Sequence, residues 1–252
     1  MEVSMSKQEE IEYLLNIVNK VRYSKNRFKL MCGEEKYIFG VVSGTNMSEP
    51  APFSKLMQYK TLYDALRDLD YKVKLSFFKA IELSYSDEIM RNFSIFKENT
   101  IEEMDTYYFI ENALYRTSIL WDILAQLYRL FYDVEIETTK VYYSKMFNPN
   151  NKMNDKFKYK AKDIYDYIEQ EDNTESENEW EGNHAFVNEC RNKMTHRNSP
   201  NVGVMSDFDI NLKSHPVFIL KRIIEDYGQV SVYLSEILAK IEKDEIEKFE
   251  NA

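Results

Sequence analysis

Proton transfer near neutral pH is histidine chemistry, and this sequence holds three histidines: His184, His196 and His215. His215 directly precedes Pro216 and reads as a turn residue. His184 lies two turns before Arg191 and reads as a partly exposed helical residue. His196 differs in its company, the run CRNKMTHRNSP over residues 190–200. Arg191, Asn192 and His196 fall within two helical turns, with Arg197 adjacent. Asn192 and His196 stand four apart, so the amide can hydrogen-bond the imidazole and orient it. Arg191 precedes His196 by five residues, about 7.5 Å along a helix axis and ~140° around it. The planar guanidinium fork suits phosphate oxygens, and the imidazole suits a proton. That pair is spaced to bracket a phosphodiester without a metal. Cys190 and Met194 would bury the opposite side of the same helix.

Other chemistries find no support in the residue pattern. There is no HExxH or HxH, no GxSxG elbow, and no GxxxxGK[ST] or GxGxxG phosphate loop. Cys32 and Cys190 are too few and too far apart for a disulfide framework or a thiolate zinc site. No cofactor and no metal is expected. A second polar set, Ser118, Asp122, Gln126 and Arg129, is spaced four, four and three along a helix and shares one face. A solvated face is the simplest reading of it. Asp122 and Gln126, with Asn192 and Arg197, are the expected supporting residues.

These side chains need long helices to hold them. Ser6 with Glu9 forms a capping box that opens a first helix, with apolar residues at Ile11, Leu14, Leu15, Val18 and Val21. Residues 29–53 break the pattern, with three of the six glycines and two of the five prolines. KYIFGVV there allows a short strand or edge hairpin near residues 36–43. Ser54 opens a helix with apolar positions Leu56, Tyr59, Leu62, Leu66, Leu69, Val73, Phe77 and Ile81. A short helix follows over 87–97. Thr100 and Glu103 form a second capping box, and the helix behind it runs to about Tyr132. Its expected buried stripe is Met104, Tyr108, Leu114, Trp121, Leu124, Tyr128 and Phe131.

Further on, KVYYSKMF is a short amphipathic piece, and a helix is expected over 156–170. The acidic stretch EDNTESENEWE at 171–181 reads as a solvated loop. The motif helix is expected from about Glu179 to His196, and 198–213 reads as a loop. Ser214 is the expected cap of the last helix, with Pro216 in its first turn and a core face from Val217 to Ile241. The charged tail is expected to fray.

Composition agrees with helices. Six Gly and five Pro in 252 residues leave too few turn formers for a many-stranded sandwich or barrel. The fold class is all-α, an antiparallel helical bundle in a single domain over 1–252. Residues 1–53 form an N-terminal helix and connector, and 54–252 the bundle. The start has no signal-peptide pattern, and SILWDILAQLYRLFY is too short and too charged to span a bilayer. A cytoplasmic protein without membrane contact is expected. Thirty-three basic against 43 acidic residues give a net charge of −10, a poor background for gripping long nucleic acid.

Arg191-Asn192-x3-His196 resembles the Rx4-6H motif of the HEPN (higher eukaryotes and prokaryotes nucleotide-binding) superfamily. WDILAQ (121–126) on a long helix, followed by KVYYSKMF and the motif helix ending RNKMTHRNSP, is similar to a subfamily of bacterial HEPN proteins. The likeness covers roughly 100–240, the HEPN-like core, and leaves the first hundred residues without a counterpart. It implies a homodimer in which two motif helices form one cleft. It further implies a metal-independent endoribonuclease of bacterial defence or toxin–antitoxin type, acting through 2′-OH attack to give a 2′,3′-cyclic phosphate. His196 would be general base or acid, and Arg191 would stabilise charge on the phosphoryl oxygens. The implied partners are a restricted RNA or a nucleotide, and an antitoxin or regulatory protein. Two alternatives stay open: a non-catalytic HEPN-like module binding a nucleotide or a protein, and an enzyme acting on a small nucleotide.

Overall fold

Both expected capping boxes form. In the computed structural model, which describes residues 5–28, 30–32, 35–37, 52–173, 181–196, 204–206 and 209–246, Ser6 caps α1 (Lys7–Lys20) and Thr100 caps α4 (Ile101–Phe131). In each, the cap hydroxyl accepts from the third helical N–H and that residue's glutamate reaches back to the cap N–H. The fold is all-α. Between these helices lie α2 (Pro52–Ser84) and α3 (Asp87–Asn92), and after them α5 (Tyr143–Met146), α6 (Lys158–Ile168), α7 (Asn183–His196) and α8 (Pro216–Ile241). Two minimal antiparallel pairs complete it, β1 (Leu30–Cys32) with β2 (Glu35–Tyr37) and β3 (Val204–Ser206) with β4 (Asp209–Asn211). The second pair stands where a loop was expected. Residues 38–51, the rest of the expected hairpin region, lie outside the described residues.

α2, with 33 residues and a length of about 50 Å, forms a helical hairpin with α4, and α8 packs along α4 and over α1 and α7. Gly228 of α8 lets α1 close in, since a Cβ there would stand 2.7 Å from Ile17 Cγ2. The α2 stripe is as expected at Tyr59, Leu66, Val73, Phe77 and Ile81, whereas Leu62 and Leu69 are only half-buried. The same face also buries Tyr63 and Asp70, whose carboxylate accepts from Tyr227 Oη at 2.6 Å and pairs with Lys74 at 2.9 Å.

The stripe of α4 is rotated at its start. Tyr107 and Ile110 are buried, while Met104 and Tyr108 face solvent. Glu103 explains the rotation: it points inward to meet the buried Lys213 at 3.2 Å. Helix starts differ from expectation as well: α2 begins at Pro52, two residues ahead of Ser54. The cap of α8 is His215, whose Nδ1 accepts from the Val217 N–H at 3.2 Å, and Ser214 instead gives its carbonyl to Tyr107 Oη. α7 begins at Asn183, because Gly182 before it takes φ +69, a conformation a side chain resists. A Cβ at Gly182 would also lie 2.4 Å from the Glu171 carbonyl oxygen.

Beyond Ile241 the chain continues as a π-turn over Glu242–Ile246, with Glu242 paired to Arg27 at 2.7 Å, so the first part of the charged tail is anchored. Among the described residues no helix is long and apolar enough to cross a membrane.

Candidate functional site

The side chains with chemistry converge where α4, α5, the end of α6 and α7 meet. Along α7, His184, Asn188 and Arg191 are spaced four and three, so they share one helical face and line the wall of an open cleft of about 1130 Å³. Asp122 of α4 and Tyr143 of α5 face them across it. Cys190 and Met194 pack on the core side of α7, as their spacing required.

Arg191 is half-buried, and among the described residues no side chain forms an ion pair with its guanidinium. Its charge is felt by both neighbours. Burial pushes the Asp122 carboxyl above the usual carboxylate range, against which Arg191 and a hydrogen bond from the Tyr143 backbone N–H act. Burial likewise pushes the Tyr143 hydroxyl up to about 12, with the Asp226 charge adding to the rise and Arg191 opposing it. The Tyr143 N–H is an otherwise unpaired donor at the first turn of α5, so Asp122 serves that helix end as well as the cleft.

Beneath the cleft floor runs a buried polar chain. Asp226, in the middle of α8 and fully buried, accepts from Trp121 Nε1–H at 3.1 Å and from Tyr167 Oη at 3.2 Å. His184 Nδ1 lies 3.2 Å from the same carboxylate, and His184 Nε2 lies 3.0 Å from Tyr143 Oη. As a carboxylate, Asp226 only accepts, so a neutral His184 donates from Nδ1 and accepts the Tyr143 hydroxyl at Nε2. The ring is wedged edge-on against Trp121, with centroids 4.7 Å apart. Removing one member of such a buried set leaves the others unpaired, which costs about 1–3 kcal/mol for a neutral group and more for a charge.

The rim is acidic. Glu169, Glu171, Asp172 and Glu189 line it with Asp122, against Arg191 and Lys193, and Lys193 is paired with Glu189 at 2.7 Å. The rim is also fixed in place. Arg222 of α8, fully buried, donates to Asp172 at 2.7 Å and to the Glu181 carbonyl at 2.9 Å. One guanidinium therefore holds both banks of the acidic stretch. Asp172 is thereby pinned, where the sequence reading had it solvated; residues 174–180 lie outside the described residues.

The expected site residues divide as follows. Arg191, Asn192 and Asp122 line the same cleft, Asn192 exposed. His196 is the last residue of α7, so its spacing from Arg191 and Asn192 is helical as expected; its side chain and all of Arg197 lie outside the described residues. Gln126 is off the cleft. Its amide donates to the Thr138 carbonyl at 2.8 Å and accepts from Arg129 at 3.1 Å, tying the chain after α4 to the helix. Sequence reasoning missed His184, read as half-exposed and found 3% exposed, together with Asp226, Tyr143 and Tyr167. A signal existed for Asp226: it interrupts the apolar stripe of α8 between Ile223, Ile224, Tyr227 and Val230.

Among the described residues no group of three or more His, Cys, Asp or Glu side chains is placed to hold a metal ion. Comparison with protein-family models, with curated proteins and with solved structures finds no match to this chain.

Proposed function

We propose that this chain is a HEPN-like, metal-independent endoribonuclease of bacterial defence or toxin–antitoxin type, acting in the cytoplasm as a homodimer on a restricted RNA. The observation that carries the reading is Arg191 in the wall of an open cleft, with Asn192 beside it and His196 one turn further along the same helix. A cation held between half-buried walls acts in a reduced dielectric, where it stabilises charge building on phosphoryl oxygens more than it would in water. His196, five residues on, supplies a proton carrier for the 2′-hydroxyl or the leaving 5′-oxygen. Only RNA offers that 2′-hydroxyl.

The homodimer is supported by an apolar stripe that α4 leaves uncovered. Ile101, Met104, Tyr108, Tyr115 and Ile119 are exposed at spacings of three, four, seven and four. Asp122 follows Ile119 by three, so the stripe leads directly into the cleft. A second copy laid on it would bring its own α7 near the first. The acidic rim accounts for a restricted substrate, because it repels a long phosphate backbone while Arg191 offers a cation within the cleft. The same rim favours the rival reading, a non-catalytic HEPN-like module that binds a nucleotide or a regulatory protein.

The test is cleavage of end-labelled RNA by the purified full chain, with and without EDTA. Activity is expected to survive the chelator and to yield 2′,3′-cyclic ends. It should fall at least about 100-fold in Arg191→Ala and in His196→Ala, the scale of losing an oxyanion donor or a general base. Asn192→Ala should leave a measurable fraction, since it removes orientation and no proton carrier. Metal-dependent cleavage, or full activity in His196→Ala, overturns the reading; binding of a nucleotide without cleavage favours the rival.

A further inference from the structure

The cleft is lined by an imidazole, His184, that the Arg191–His196 pair does not use. We infer that Tyr143, backed by His184 and Asp226, is a proton-accepting residue of this cleft, facing the phosphodiester that Arg191 binds; the inference rests on the ribonuclease reading above.

Three features of the chain carry it. First, the order is directional: Asp226 holds His184 by Nδ1 at 3.2 Å, and Nε2 meets Tyr143 Oη at 3.0 Å. With the tyrosine proton directed at the imidazole, the lone pairs of its oxygen are left for the cleft, which Tyr143 lines. Second, the inner members cannot turn away. Asp226 is fully buried under donors from Trp121 and Tyr167, and Trp121 is edge-on to the imidazole. Third, the packing of the bundle sets Arg191, Asp122 and Glu169, the residue after α6, in the lining of the same cleft as Tyr143, and the charges of all three act on its hydroxyl. A buried polar chain serving stability alone needs no outlet. This one ends on a part-buried hydroxyl whose residue lines the open cleft.

The step balances within named groups. The ribose 2′-hydroxyl gives its proton to Tyr143 Oη as the tyrosine proton passes to His184 Nε2, and the imidazolium formed is neutralised by Asp226. The 2′-oxygen forms its bond to phosphorus, the bond from phosphorus to the 5′-oxygen breaks, and His196 protonates that leaving oxygen. His184 then loses its proton through Tyr143 to water. A tyrosine alone, with its hydroxyl pushed up to about 12, is a reluctant acid and needs the imidazole behind it to pass a proton near neutral pH. Tyr143 is the catalytic group here; His184 and Asp226 are positioning residues that act through it.

The experiment compares the full chain with Tyr143→Phe, His184→Gln and Arg191→Ala. Tyr143→Phe removes one hydroxyl and keeps the ring, and it should still fold, melting a few degrees below the parent because the buried His184 Nε2 loses its donor; His184→Gln is the variant that could fail to fold. On labelled RNA, Tyr143→Phe is expected to lose about 100-fold or more in rate and to flatten the acid limb of the pH–rate profile, the limb that reports the proton-accepting group of the free enzyme. Nitrogen NMR of the histidine rings should show His184 moving saturably when uridine 3′-monophosphate is added to the parent, and not in Arg191→Ala. Cleavage that needs Arg191 but proceeds in Tyr143→Phe at the parental rate, or more slowly with an unchanged acid limb, overturns the relay and leaves the ribonuclease reading standing. If the parent cleaves no RNA, that reading falls. The NMR titration then decides: a saturable His184 shift that needs Arg191 supports Tyr143 and His184 as a phosphate-facing site, and no shift overturns it.

Discussion

Asp122 is the residue in which cleft and stability conflict. Burial raises its carboxyl, and the attraction of Arg191 only partly offsets that. A carboxyl raised in the folded state contributes stability when protonated, and that contribution is lost as pH rises through the folded value. Asp122→Asn removes the cost while keeping an oxygen for the Tyr143 N–H. Its melting temperature is expected to lie a few degrees above the parent at pH 7–8, given that about 1 kcal/mol moves a chain of this size by about 2–4 °C. The two curves should converge below the ordinary 3.8. Melting curves across that range check it, and a variant less stable at pH 8 would mean that the pairing with Arg191 outweighs burial. Such a cost at a cleft residue is expected where a site is kept for function.

At the scale of elements, the start of α8 carries a built-in acid sensitivity. His215 caps it as a neutral ring, its Nδ1 accepting the Val217 N–H. Burial pulls its pKa below the ordinary 6.5, with Glu103 opposing. A histidine held neutral contributes stability that is full above 6.5 and is lost as pH falls through the depressed folded value. The protonated ring has no acceptor for the cap. Between pH 7 and pH 5 the parent is expected to lose about 1 kcal/mol in urea unfolding, the ordinary worth of an N-cap. His215→Ser, which keeps an acceptor and does not titrate, should stay flat over the same range. An equal decline in both would place the acid sensitivity elsewhere.

For the whole molecule, the uncovered stripe of α4 sets the expectation. An exposed row of apolar side chains on a chain with a net charge of −10 suits a partner, and in the function proposed above that partner is a second copy completing the cleft. Sedimentation at micromolar concentration is expected to find a dimer. Tyr108→Glu with Ile119→Glu should give monomers, because both positions are exposed and their substitution leaves the core intact. The same monomers should lose ribonuclease activity at least about 10-fold if one cleft needs two copies. A monomeric parent would sink the dimer.

Local physics wrote much of this protein into its sequence. Both capping boxes, the helix of Arg191, Asn192 and His196, the long helices α2 and α4, and the Cys190 side of α7 depend on neighbours within a turn or two, so their spacing determines them. Reading failed wherever a partner far along the chain decided the outcome. The stripe of α4 rotates because Glu103 meets Lys213, and Gln126 leaves the cleft for Thr138. The floor of the cleft depends on separations no window can see: Asp226 lies 105 residues from Trp121, 59 from Tyr167 and 42 from His184. Periodicity tells which side of a helix is buried, but a buried polar group is tolerable only beside its hydrogen-bond partners, and only the packing of α8 against α4 and α7 brings those partners together. The sequence alone therefore determined the helices and the motif they carry. The tertiary structure decided that His184, read from the sequence as a partly exposed helical residue, stands with Arg191 at the cleft.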